Sequence, residues 1–351
     1  MDAFYAYPSY YDVIIGNLID RDWLVHNFNG VEGSEIYNFS NYLYNKEFKG
    51  FTYTIYLDLN IYQYIISAFK KANPNSVYRD AIGLIAFCQL SKIELDPTLA
   101  VYEKLNYRTD TETLDEVVSD LELFHRINNI NNETLISYSL GERNDIIIPE
   151  SYPIERELVK KDLTKYRRLT EWDSLYLIVL FIIYTSLNKE SSKIEKFQTV
   201  VEWMIQEFRL SLVCITFAAI FFSDKPLKKM MKYKASSNSD LKRRSAFNMT
   251  WDLYNLNRYF RMWTERESKQ EGMFASGDKA FNAILRNSIN VQKNGNLSCF
   301  SEFLPVNVIE YIEKITSKPD SHVKRIYSSD LWTPDYRLKQ IEKYELLIGI
   351  R

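Results

Sequence analysis

The chain has 351 residues, is 46% hydrophobic and 26% charged, and carries a formal charge of −2 at neutral pH. That profile excludes a disordered chain, which has too little apolar surface to bury a core. It also excludes a molecule drawn to nucleic acid or membrane by its overall field, so any polyanion-binding surface has to be local.

Glycine and proline are scarce, at 10 and 9 residues against 26 tyrosines and 20 phenylalanines, which favours long helices separated by large side chains. The first fifty residues have an aromatic, irregular pattern with turns at Gly30 and Gly33, and no basic stretch leads into an apolar run, so no secretory leader is expected. Tyr5, Tyr7, Tyr10 and Tyr11 suit core packing or a protein interface better than base stacking. At Phe51–Leu57 the sequence FTYTIYL reads as a strand ending in Asp58-Leu59-Asn60. Ile61–Lys71 reads as a helix closed by Asn73-Pro74-Asn75, and Tyr78–Ser91 as a second helix. Lys92–Leu95 is a short strand candidate, and Asp96-Pro97-Thr98 opens a helix, since proline fits a first turn.

From about Asp110 to Ser245 the pattern is helical almost throughout. Two apolar runs of 13 residues, Leu175–Leu187 and Leu210–Phe222, fall short of the roughly 20 needed to span a bilayer and read as buried core helices. Asp173, in Glu171-Trp172-Asp173, reads as a helix cap. Lys225–Arg244 holds eight Lys or Arg and one acid around a serine-rich middle. Thr250 reads as the N-cap of a helix over Trp251–Trp263. Gly272–Gly277 reads as a short strand ending at Asp278, before a helical Lys279–Arg286.

Strand–helix units flanking a helical stretch predict an α/β fold with a sheet at least partly parallel, in which ligands bind beyond the carboxyl ends of strands. Asp58 and Asp278 are expected there, with Glu103 on the helix after the second strand and Asp252 at a helix start. Any one of these alone is more often a cap or turn residue. Grouped, the four would repel one another unless a cation compensated. Such carboxylates bind hard divalent metals, Mg²⁺ or Mn²⁺, which can activate a water and stabilise the leaving oxygen of a phosphodiester. His26, His125 and His322 are isolated. Cys88, Cys214 and Cys299 are widely spaced without a zinc pattern, and read as free thiols in a reducing compartment.

TIYLDLNIY and the helix after it resemble the opening of PIN-domain nucleases, whose first strand ends in Asp-x-Asn. IELDPTLAVYEKL is similar to that family's second strand and Glu-bearing helix. NMTWDLYNLNRYF and MFASGDKAFNAIL resemble its last two acidic motifs. The resemblance implies a PIN-like three-layer α/β fold with a central, mostly parallel sheet and a large helical insertion. It implies metal ligation by Asp58, Glu103, Asp252 and Asp278, with Asn60 and Ser276 in support; under a shifted register Glu94 or Asp96 replaces Glu103. The implied organisation is an aromatic-rich extension at 1–50, a catalytic core at 51–109 and 246–300, a helical insertion at 110–245 and a C-terminal extension at 301–351.

The expected activity is metal-dependent endonuclease cleavage in the cytoplasm, of RNA ahead of DNA, with toxins and antiviral effectors as the analogy. Lys228, Lys229, Lys232, Lys242, Arg243 and Arg244 are the candidates for phosphate contacts, with a solvated surface loop as the other reading. Met230, Met231 and Tyr233 within the run suit packing or stacking equally. A regulatory protein partner or a homo-oligomer stays open; a membrane partner is not expected. Two other readings stand beside this one. A haloacid-dehalogenase-like phosphatase would need an acid where Asn60 stands, and a non-catalytic PIN-like scaffold would not need the four acids.

Overall fold

Thr52–Leu57 (β2) alternates threonine and tyrosine with larger apolar residues, and the pleat sends Tyr53, Ile55 and Leu57 into the core. In the computed structural model, β2 lies inside a four-stranded sheet of order β1-β4-β2-β3, where β1 is Leu24–His26, β3 is Glu94–Asp96 and β4 is Gln270–Ala275. The structure describes residues 10–31, 33–71, 75–106, 111–144, 146–150, 152–165, 171–317 and 325–351. Tyr5, Tyr7, Asn73, Pro74, Asp110 and His322 lie outside them. β2 runs parallel to both neighbours, with Leu57 opposite Ala275 on β4 and Tyr56 opposite Asp96 on β3; β1 is antiparallel to β4. The fold is thus mixed α/β and mostly helical.

The chain divides into two units, the first made of Met1–Arg167 with Tyr259–Asn282, the second of Arg168–Arg258 with Ala283–Arg351. In the first, α1 (Tyr11–Arg21), α2 (Phe39–Lys49), α3 (Leu59–Lys70) and α4 (Ser76–Ser91) pack with the sheet around Ile55, Leu57, Ile65 and Phe87. Then follow α5 (Thr98–Asn106), α6 (Thr111–Asn128), α7 (Asn132–Ser139) and α8 (Arg156–Lys165). Asn75 caps α4 by accepting from Tyr78 N–H, and Asp96 Oδ1 accepts from Thr98 N–H at the start of α5.

The second unit holds α9 (Trp172–Leu187), α10 (Lys193–Glu202) and α11 (Leu212–Phe221). It also contains the first part of α12 (Ser239–Glu265), most of α13 (Lys279–Asn294), α14 (Val306–Thr316) and α15 (Pro334–Leu347). The two apolar runs form α9 and α11 and are buried along nearly their whole length. Among the described residues no helix is long and apolar enough to cross a membrane. Arg209 holds the entry to α9, with its guanidinium on Glu171 at 2.7 Å and on Ser174.

Three local expectations are corrected. The segment expected to be irregular before residue 50 forms α1, β1 and α2, because the short Leu24–His26 stretch becomes a strand only by pairing with β4. Asp173 is not the N-cap residue of α9: Glu171 occupies that position, and Asp173 faces Arg337 at 3.7 Å. Thr250 does not open a helix. α12 starts near Asn238, whose Oδ1 accepts from Leu241 N–H, while Thr250 Oγ1 turns back to Ala246 O at 2.8 Å. A threonine hydroxyl can satisfy itself on the preceding turn, so it carries no start signal in a stretch without glycine or proline.

Candidate functional site at the carboxyl ends of β2 and β4

The sheet ladder runs one step past both strands. Asp58 N–H donates to Ala275 O at 2.9 Å and Ser276 N–H to Trp23 O at 3.0 Å, which pins both backbones. Asp58 is buried and N-caps α3, with Oδ1 accepting from Leu59 N–H at 2.8 Å. Its Oδ2 accepts from the Ser276 hydroxyl at 2.6 Å and from Asn60 Nδ2. At least three donors therefore converge on one carboxylate. Ser276 Oγ in turn accepts from Asp278 N–H at 3.1 Å, and Asn60 Oδ1 accepts from Gly277 N–H at 2.8 Å.

Asp278 caps α13, with Oδ1 accepting from Ala280 N–H at 2.9 Å and Phe281 N–H at 3.3 Å. It is half-buried, and its second oxygen has no hydrogen-bond or ion-pair partner among the described residues. Gly277 between the two acidic turns is crowded: a Cβ there would meet Asn60 Oδ1 at 3.1 Å, Tyr64 at 3.5 Å and Trp23 at 3.6 Å. The structure thus brings Asp58, Asn60, Ser276 and Asp278 together.

Asn282 escaped the sequence reading. It is buried four residues after Asp278, and its Nδ2 donates to Ser276 O and to Asp22 O, both at 3.0 Å. The spacing of four places it on the same helix face as Asp278, and that was its one legible signal. Trp23 and Tyr64, which flank Gly277 with ring centroids 6.2 Å apart, gave none, since they lie far from it in sequence.

Glu103 is buried on α5, a helix that packs against α3 and β2. Glu94 and Asp96 lie on β3, Glu94 exposed and Asp96 half-buried. Asp252 belongs to the second unit, midway along α12, where it pairs with Lys232 at 2.5 Å; Lys232 also donates to Asn248. Of the other basic candidates, Lys242 stands 5.8 Å from the Tyr233 ring and Arg243 donates to Ile350 O, while Lys228, Lys229 and Arg244 are exposed. Met230 and Tyr233 pack inward, Tyr233 donating to Ile348 O.

Among the described residues no group of three or more His, Cys, Asp or Glu side chains is gathered for a metal ion. The chemistry of the pair Asp58 and Asp278 nevertheless suits Mg²⁺, which takes one or two carboxylates and completes its shell with water and phosphate oxygens. No family model, curated protein or solved structure matches the chain.

Proposed function

We propose that the carboxyl-end cluster is the metal site of a PIN-like nuclease that hydrolyses phosphodiester bonds with Mg²⁺ or Mn²⁺, acting on RNA in preference to DNA. The observation that carries this reading is the pair of acids at the ends of adjacent parallel strands, Asp58 and Asp278, tied together through Ser276. Asp58 and Asp278 are the residues that would hold the ion, and Glu103 is the further acid of the same unit; Asp252, the fourth acid of the resemblance, belongs to the second unit. When bound, such an ion lowers the pKa of water and offsets charge on the leaving oxygen.

The chain's own residues have separate tasks. Ser276 and Asn60 orient the Asp58 carboxylate by donating to it. The Asp278 carboxylate is held at the α13 N-terminus through Oδ1, which leaves its second oxygen for the ion. Lys228, Lys229 and Arg244 are exposed cations of the basic run, and this reading assigns them phosphate contacts. In this reading the helices between α5 and α12 are an insertion in a PIN-like core. The free thiols Cys88, Cys214 and Cys299 support action in the reducing cytoplasm.

The test is cleavage of a panel of single-stranded RNA and DNA with Mg²⁺, Mn²⁺ or chelator, for the wild type, Asp58→Asn and Asp278→Asn. Metal-dependent cleavage that both substitutions reduce at least about tenfold supports the reading, since disturbing a metal's ligand set costs roughly one or two powers of ten. Cleavage unaffected by either substitution sinks it. Hydrolysis of small phosphomonoesters alone would favour the phosphatase, and binding of nucleic acid without cleavage the scaffold.

A further inference from the structure

Parallel strands are ordinarily covered on both faces, yet one face of β2 is left open. Thr52, Thr54 and Tyr56, on the side away from the core, are exposed or half-buried. Two cavities of about 530 and 520 Å³ lie along this face and share Thr54, Tyr56 and Glu94. One extends to Trp263 and Arg266 near the end of α12, the other to His125 on α6 and Asp162 on α8, all within the first unit.

Among the described residues, the lining has one sign of available charge. Glu94, Asp96 and Asp162 form no ion pair with lysine or arginine among the described residues. Arg266 is committed to Glu271, and Glu265 to Arg261 at 2.9 Å. His125 is pushed toward its neutral form by burial and stacks on Tyr152. Phosphate would be repelled here and a cation attracted.

The floor is aromatic. The Tyr56 ring lies over Gly272 of β4, where a Cβ would stand 3.0 Å from Cε2, so a larger residue there would shift the ring. Aromatic faces beside carboxylates suit ammonium and guanidinium groups on aliphatic stems.

We propose that this open sheet face docks an extended, lysine- or arginine-bearing peptide segment of a partner protein, with its cations on Glu94, Asp96 and Asp162 and its aliphatic stems across Tyr56. Two joined, half-open cavities suit an extended chain better than a compact ligand. None of its residues belongs to the Asp58–Ser276–Asp278 cluster, and it takes Glu94 and Asp96 as peptide contacts, leaving Glu103 as the second acid of the nuclease reading.

The experiment is fluorescence anisotropy of the full chain with a short labelled peptide of alternating lysine and alanine. The same peptide with glutamine for lysine, and spermidine as competitor, are the controls. The lysine peptide should bind, weaken with added salt, and lose at least roughly tenfold in affinity in the double variant Glu94→Gln with Asp162→Asn. Glu133→Gln, an exposed charge change outside the cleft, should bind as wild type. Asp278→Asn should also bind as wild type even where it abolishes cleavage, which separates failure of this proposal from failure of the nuclease reading. Equal binding of the glutamine peptide, or a double variant no weaker than Glu133→Gln, overturns the proposal. Displacement by spermidine at the peptide's own affinity overturns it in favour of a small polyamine site. Thermal melts of each variant confirm that the folded chain is compared.

Discussion

At least three donors meet the Asp58 carboxylate, from Leu59 N–H, Asn60 Nδ2 and the Ser276 hydroxyl, and it is buried. Its removal is therefore a structural event as well as a chemical one. Asp58→Ala should cost about 3 kcal/mol, combining a lost N-cap of about 1 kcal/mol with buried donors left unsatisfied. Asp58→Asn should cost about 1–2 kcal/mol, because the new amide confronts the Asn60 amide with a second donor. Asp278→Asn should stay within about 0.5 kcal/mol of wild type, since asparagine caps helices as well as aspartate does. Chemical denaturation of the three variants checks this order. Equal losses at 58 and 278 would show that the two acids are held alike, against the hydrogen bonds described.

At the scale of elements, the close approach of helices decides more than their composition. Gly83 on α4 is buried where a Cβ would stand 2.7 Å from Ser139 Oγ on α7 and 3.1 Å from Ile14 Cγ2 on α1. Alanine is the better helix former, but overpacking a tight crossing costs about 1–3 kcal/mol and outweighs that gain. Gly83→Ala should accordingly lower the melting temperature; a raised value would mean that α1 and α7 give way at little cost. The strand at 51–57 was legible from its alternation, and the one read at 272–277, which lies at Gln270–Ala275, from its short apolar run before an Asx-containing turn. The start of α12 was not legible. Asn238 and Thr250 are both plausible caps in sequence, and only the back-bond of Thr250 to Ala246 tells them apart.

On the scale of the whole molecule, β4 is the central fact of the first unit. It arrives from beyond residue 258, yet stands between β1 and β2. A fragment of residues 1–167 would leave β1 without a strand partner and expose one edge of β2. It should show helical content by circular dichroism but little protection of β2 amides from hydrogen exchange. Joining residues 259–282 to it through a flexible linker should restore that protection. A fragment already protected without them would show that β4 is dispensable. Because loop closure costs grow slowly with length, a strand returning from so far along the chain is thermodynamically acceptable.

By itself the sequence determined the mixed α/β class, the two buried apolar helices, the positions of β2 and β4, and the placement of Asp58 and Asp278 just past strand ends. These follow from hydrophobic periodicity and turn residues, which act over a few positions. Tertiary structure alone decided that Leu24–His26 is a strand, that β4 lies between β1 and β2, that Lys232 pairs with Asp252, and that Asn282 supports Ser276. It alone also left one face of β2 open beside Glu94 and Asp96. Each of these is a contact, or a missing cover, between residues distant in sequence. Strand pairing, ion pairing and burial depend on which surfaces meet after folding, and no local window of sequence contains both partners.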